Sequence, residues 1–145
     1  MRQNIKVFLI ALILGASVSF IYCKYFDNTI LGLASDAKVT YFSVGSYSDY
    51  LSADAKKASY PGSLIYNQNG IYKVVIGVYT SSEAVELMQS YFGDKGINFT
   101  TNETKINKDF KTRAEVYETL IKSGDKDNIL NINNSLLKLF SEYIG

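Results

Sequence analysis

Among its 145 residues the chain has no histidine and one cysteine, Cys23. Ser-His-Asp and Cys-His nucleophile systems, His/Cys zinc sites and an intramolecular disulfide all need partners that this inventory lacks. Carboxylates remain as acid–base candidates, and Glu83 and Glu86 stand three apart in what reads as one helix. That spacing puts both on a helix surface, where solvation accounts for them, and nothing pairs them with a nucleophile. No glycine-rich phosphate loop occurs. The chain therefore reads as a non-enzyme, with no cofactor and no metal, whose chemistry is recognition. Asn98, Asn102 and Asn133 each open a glycosylation triplet, a weak signal in a chain so rich in asparagine.

With 47% hydrophobic and 20% charged residues the composition is that of a folded protein, and a net charge of +1 supplies no field to steer nucleic acid or anionic lipid. One small domain with appendages fits the length.

Residues 1–24 read as a cytoplasmic stub and transmembrane anchor. Arg2 and Lys6 precede a run from Val7 to Cys23 that is 17 residues long and free of charge. At ~1.5 Å per residue such a helix spans roughly 26 Å, near the ~30 Å hydrocarbon core once Lys6 and Lys24 snorkel. Membrane contact is thus expected through residues 5–23. An uncleaved anchor is favoured over a cleaved signal peptide, because the apolar run continues past the small residues Ser17, Val18 and Ser19 through Phe20, Ile21 and Tyr22. Positive charge on the short side places the N-terminus in the cytoplasm. The expected location is the cell membrane, single-pass, with the C-terminal domain extracytoplasmic. Residues 25–38 read as a connector.

From Val39 onward the hydrophobic period is that of strands and helices in alternation. Val39 to Tyr47 alternates as a strand, with Phe42 and Val44 on one side and Tyr41, Ser43 and Gly45 on the other. Ser48 or Ser52 can cap a helix with Leu51, Ala55 and Ala58 on one face, ended by Pro61 and Gly62. Leu64 to Tyr66 reads as a short strand, Asn67 to Gly70 as a hairpin turn, and Tyr72 to Tyr79 as the third strand. Thr80 to Glu83 is a capping box for a helix striped by Ala84, Leu87, Met88 and Tyr91, and Phe99 to Ile106 is the last strand. The order β-α-β-β-α-β predicts an α+β fold: a split β-α-β antiparallel sheet with two helices on one face and the other face open.

The stretches YFSVGSY (Tyr41 to Tyr47) and YKVVIGVY (Tyr72 to Tyr79), the second followed by a helix with Ala84 in its first turn, resemble the two halves of a SPOR (sporulation-related repeat) domain. The resemblance covers residues 39–106. It implies binding of peptidoglycan glycan strands on the open sheet face by a membrane-tethered protein of a division or sporulation septum. The glycan-binding positions it implies are Ser43, Ser46, Ile71 and Lys73. Regular alternation puts Ser43, Ile71 and Lys73 on the open face and leaves Ser46 at the strand–loop junction. Several departures weaken the match: serine stands where family members often have glutamine (Ser43), isoleucine where an aromatic is common (Ile71), and lysine for arginine at Lys73, which keeps charge but loses the planar fork. Tyr41, Tyr47 and Tyr79 are available as replacement rings. The connector is also shorter than is common in the family.

Residues 107–145 lie outside the resemblance and read as two amphipathic helices, one striped by Phe110, Ala114, Tyr117 and Ile121, the other by Ile129, Ile132, Leu136, Phe140 and Tyr143 or Ile144. Packing on each other or on the domain is the plain expectation, and an arm for an envelope protein partner is the sharper one. Their six basic and six acidic residues balance, against a lipid-surface role. The rival function is a non-enzymatic envelope scaffold with a degenerate SPOR domain that binds a protein partner. An RNA-binding module shares the element order, but the third strand lacks interleaved aromatics, so no nucleic-acid partner is expected.

Overall fold

The computed structural model describes residues 36–123 and 128–144. The expected anchor, and the connector up to residue 35, lie outside the described residues. Among the described residues no helix is long and apolar enough to cross a membrane.

The elements run β1 (Asp36–Tyr47), α1 (Tyr50–Lys57), β2 (Leu64–Gln68), β3 (Ile71–Tyr79), α2 (Ser82–Asp94), β4 (Thr100–Asn107), α3 (Lys108–Lys122) and α4 (Ile129–Ile144). Strand order is β2-β3-β1-β4, and every neighbouring pair is antiparallel. This is the split β-α-β sheet, in which each β-α-β half contributes one central and one edge strand. β1 reaches back to Asp36, into the expected connector, because Asp36 to Lys38 pair with Asn107 to Lys105.

Local signals explain most boundaries. Asn69 (φ 54) and Gly70 (φ 84) form a two-residue turn that only left-handed backbone allows, and it sets Gln68 opposite Ile71. The strand thus runs on into residues expected to be turn. At α1 the cap is Asp49, whose side chain accepts from Ser52 N at 2.8 Å, and neither Ser48 nor Ser52 serves. The helix accordingly buries Ala53 and leaves Leu51 80% exposed, so the expected Leu51, Ala55, Ala58 stripe is turned outward. Ser81 caps α2, and at its other end Ile97 N donates to Phe92 O across Gly96 (φ 68), a left-handed finish.

Both faces of the sheet are covered. On one, Phe42 packs with Phe92 of α2 and stacks on Phe99 at 4.8 Å between ring centres. On the other, Ala37, Val39 and Tyr41 are buried, Tyr66 meets Phe140 of α4 at 5.7 Å, and Phe140 meets Phe110 of α3 at 5.6 Å. The expected open face is therefore largely closed by α3 and α4, since its strand residues at that end are as apolar as those beneath α1 and α2. The described residues form one compact unit, and the C-terminal helices contribute to its hydrophobic core.

Two contacts fasten these helices. β2 pairs with β3 only as far as Leu64 and Val75, which leaves the next β3 residues without a strand on that side. Asn133 of α4 takes that place: its Nδ2 donates to Ile76 O at 2.9 Å, and its Oδ1 accepts from Tyr79 OH. Glu118 of α3 is fully buried and accepts from Thr80 N and Oγ1 and from Ser81 N and Oγ, at 2.5 to 3.0 Å. A carboxylate so surrounded supplies the N-cap residue of α2 and the residue before it with acceptors, and puts negative charge at the helix N-terminus.

Candidate functional site

The pairing of β1 with β3 is irregular in a way that matters for the site. Phe42 faces Gly77, Ser43 faces Val75 and Gly45 faces Val74, so Ile76 on one strand and Val44 on the other are extra residues. Each extra residue reverses the alternation of its own strand. Beyond them Ser46 stands opposite Lys73, and directly opposed residues share a face. The expectation that Ser46 lies off the face of Lys73 assumed a regular register and is corrected by these two bulges.

One sheet face thereby collects rows of side chains running from buried to open: Ala37 with Ile106, Val39 with Thr104, Tyr41 with Val78 and Asn102, Ser43 with Val75 and Thr100, then Ser46 with Lys73 and Tyr66, and last Ile71 with Gln68. The first rows lie under α3 and α4. The last rows form the accessible end, where Ser46 and Thr100 are exposed and Ile71 is 40% exposed.

A polar network drawn from all four strands occupies this end. Lys73 Nζ donates to Tyr41 OH at 2.8 Å and to Asn102 Oδ1 at 3.2 Å, and sits 5.3 Å from the centre of the Tyr41 ring. Tyr41 OH donates onward to Gln68 Oε1 at 2.8 Å. Asn102 Nδ2 donates to Ser43 Oγ at 3.0 Å, and Ser43 Oγ lies 2.9 Å from Thr100 Oγ1. Tyr66 OH and Thr104 Oγ1 are 3.2 Å apart, so the sheet curls enough for an outer strand to reach its opposite edge. Ser43, Val44, Gly45, Ser46, Asn98, Phe99 and Thr100 line a shallow cleft of about 240 Å³ beside the network.

Of the residues implied by the sequence, Ser43 and Lys73 meet through Asn102, while Ser46 and Ile71 flank them at the surface. Ser43 is buried, so it orients Asn102 and Thr100 and is covered from solvent. Tyr41 and Tyr79 are fully buried and are not stacking rings; Tyr41 serves through its hydroxyl. Tyr47 pairs with Tyr72 on the other face and folds over Gly45. Gln68, Tyr66, Thr100 and Asn102 escaped sequence reasoning. Gln68 was hidden in a presumed turn, and Asn102 was discoverable from its alternation within TTNETKI.

Chemically the site offers a cation, amides and hydroxyls in fixed positions. Lys73 spends two of its three N–H donors on Tyr41 and Asn102, and the third remains. The Gln68 amide nitrogen is a further donor, with no partner among the described residues. Among the described residues no group of His, Cys, Asp or Glu could hold a metal ion.

No protein-family model matches the chain, and no curated protein sequence does. Among solved structures, the peptidoglycan binding domain of the B. subtilis cell wall lytic enzyme CwlC is similar at 18% identity and a TM-score of 0.39, over 48% of this chain and 94% of that one.

Proposed function

We propose that this protein is a non-catalytic, membrane-anchored binder of peptidoglycan glycan strands, acting outside the cytoplasm at a division or sporulation septum. The observation that supports it is the Lys73, Tyr41, Gln68, Asn102 network at the accessible end of the sheet. Hydroxyl- and amide-rich sugar chains, which carry a carboxylate wherever a stem peptide has been removed, are met by a cation and hydrogen-bonding groups held rigid by one another, and Lys73 and Gln68 keep donors to spare. The accessible end is small, so the reading is of a short glycan segment bound across Ile71, Lys73, Asn102 and Ser46.

The test is sedimentation of the full chain with purified sacculi stripped of stem peptides. Retention that falls at least fivefold in Lys73→Glu, and is unchanged in Lys38→Glu at the far end of β1, supports glycan binding; about 1 kcal/mol for one lost hydrogen bond sets that scale. An unretained wild-type chain overturns it.

A second reading, a scaffold that binds an envelope protein, is favoured by one observation: α3 and α4 cover much of the face that an open-sheet binder would present, and α3 exposes Val116 and Leu120 one turn apart. Recovery of a protein crosslinked to α3, without sacculus retention, is its signature.

A further inference from the structure

β4 is an edge strand: β1 pairs with one side of it, and no strand among the described residues pairs with the other. From Thr101 to Ile106 no hydrogen bond reaches its outer backbone groups from any described residue. Sheets protect such edges by keeping them short, by a bulge, by proline, or by charges that repel another strand. β4 runs for eight residues without proline or glycine, and its pairing with β1 holds one register from end to end, whereas the pairing of β1 with β3 is bulged twice. Charge is the device left, and its pattern here does not repel a second copy.

Thr101, Glu103 and Lys105 are exposed along the margin of the sheet face that carries Phe42. Lys105 stands directly opposite Lys38 of β1, a like-charge pair of the kind that costs stability, and the carboxylate of Glu103 goes to Lys38 at 2.7 Å. Lys105 has no ion pair with any described residue. Set antiparallel to itself about Thr104, β4 brings Glu103 opposite Lys105 of a second copy, and Lys105 opposite its Glu103. A shift of two residues either way sets Glu103 against Glu103 or Lys105 against Lys105. A shift of one opposes outward-pointing N–H and C=O groups to inward-pointing ones. The charges thus select a single register, and in it each Lys105 gains the carboxylate it lacks within its own chain.

We infer that β4 is the surface through which two copies of this chain associate, joining their four-stranded sheets into one of eight strands. The occupant is a second copy because the charge pattern is complementary to itself. The seam is one strand wide, short of the ~800 Å² per partner of a standard interface, so the dimer is weak and reversible. It is independent of the glycan reading, because Glu103 and Lys105 lie on the face away from Lys73 and Asn102.

The test is sedimentation equilibrium of the full chain in detergent micelles, at concentrations up to about 1 mM, the weak end of specific association. It compares wild type, Lys105→Glu, Glu103→Lys and a 1:1 mixture of the two variants. Wild type should show a reversible monomer–dimer equilibrium. Each variant alone opposes like charges at both pairs, and its dimer should weaken at least tenfold. In the mixture a strand with two carboxylates meets a strand with two ammonium groups, and association should return to wild-type strength, which misfolded chains would not do. Carbodiimide should then link Glu103 of the Lys105→Glu chain to Lys105 of the Glu103→Lys chain. The inference is overturned if wild type stays monomeric throughout, or if either variant dimerises as strongly as wild type. It is equally overturned if the mixture associates no better than the variants alone, or if its crosslinks form elsewhere.

Discussion

At the scale of single residues, the buried polar groups decide more than the exposed ones. Glu118 holds four donors at the start of α2, and removing it leaves Thr80 and Ser81 without their partner in a water-excluded place. Glu118→Ala is expected to lose about 3 kcal/mol in urea unfolding, and Glu118→Gln less, since one acceptor oxygen survives. A loss near zero for Glu118→Ala would show that water replaces the carboxylate. Tyr79 makes a pH prediction. Burial, and after it the negative charge of Glu118, push its hydroxyl well above the ordinary 10.0. The folded state therefore binds this proton more tightly than the unfolded one. Its contribution is complete below the unfolded value near 10 and drains away as pH rises toward the folded value. Tyr79→Phe should be about 1 kcal/mol less stable at neutral pH, having lost the bond to Asn133, yet should decline less steeply in alkaline denaturation.

At the scale of elements, what was legible in the sequence was local. The Asn69–Gly70 turn, the Ser81 cap and the strand alternation each depend on a few neighbouring residues, and each is found within a residue or two of its expected place. The bulges at Val44 and Ile76 were not legible, because an extra residue in a strand is defined by the partner strand and no residue type announces it. They moved Ser46 onto the face of Lys73. Likewise Leu51 promised a buried helix stripe, but the cap at Asp49 rotated α1 so that small Ala53 meets the sheet. Two glycines separate the causes operating at this scale. Gly70 has a φ of 84 and open space around a would-be Cβ, so Gly70→Ala should cost about 1 kcal/mol through backbone conformation alone. Gly77 has ordinary backbone, but a Cβ would run into the Tyr79 ring and hydroxyl. Gly77→Ala should therefore cost more, about 2–3 kcal/mol, and the excess should shrink in a Tyr79→Phe background, measured as a double-mutant cycle.

At the scale of the whole molecule the question is whether the C-terminal helices are an appendage or half of the core. Element order alone favours an appendage, since β1 to β4 with α1 and α2 already complete a split β-α-β fold. Burial says otherwise. Ala37, Val39, Tyr41, Val75, Val78 and Ile106 are apolar and buried, and the rows they belong to lie on the face that α3 and α4 cover. Phe110, Leu136, Leu137 and Phe140 are buried in a single cluster with all of these but Ala37. Each large side chain of this kind contributes roughly 1.5–3 kcal/mol by leaving water, so stripping the helices away would forfeit more than the whole stability of a small domain. Loss of Glu118 and Asn133 would also leave Thr80 and Ser81 before α2, and the unpaired stretch of β3, without partners. A chain ending at Asn107 is accordingly expected to show no cooperative thermal transition by circular dichroism, and to expose apolar surface. A sharp transition in that shortened chain would mean that the helices are a detachable cover. Increased sacculus retention by the same chain would then mark the covered rows as the larger part of the binding surface.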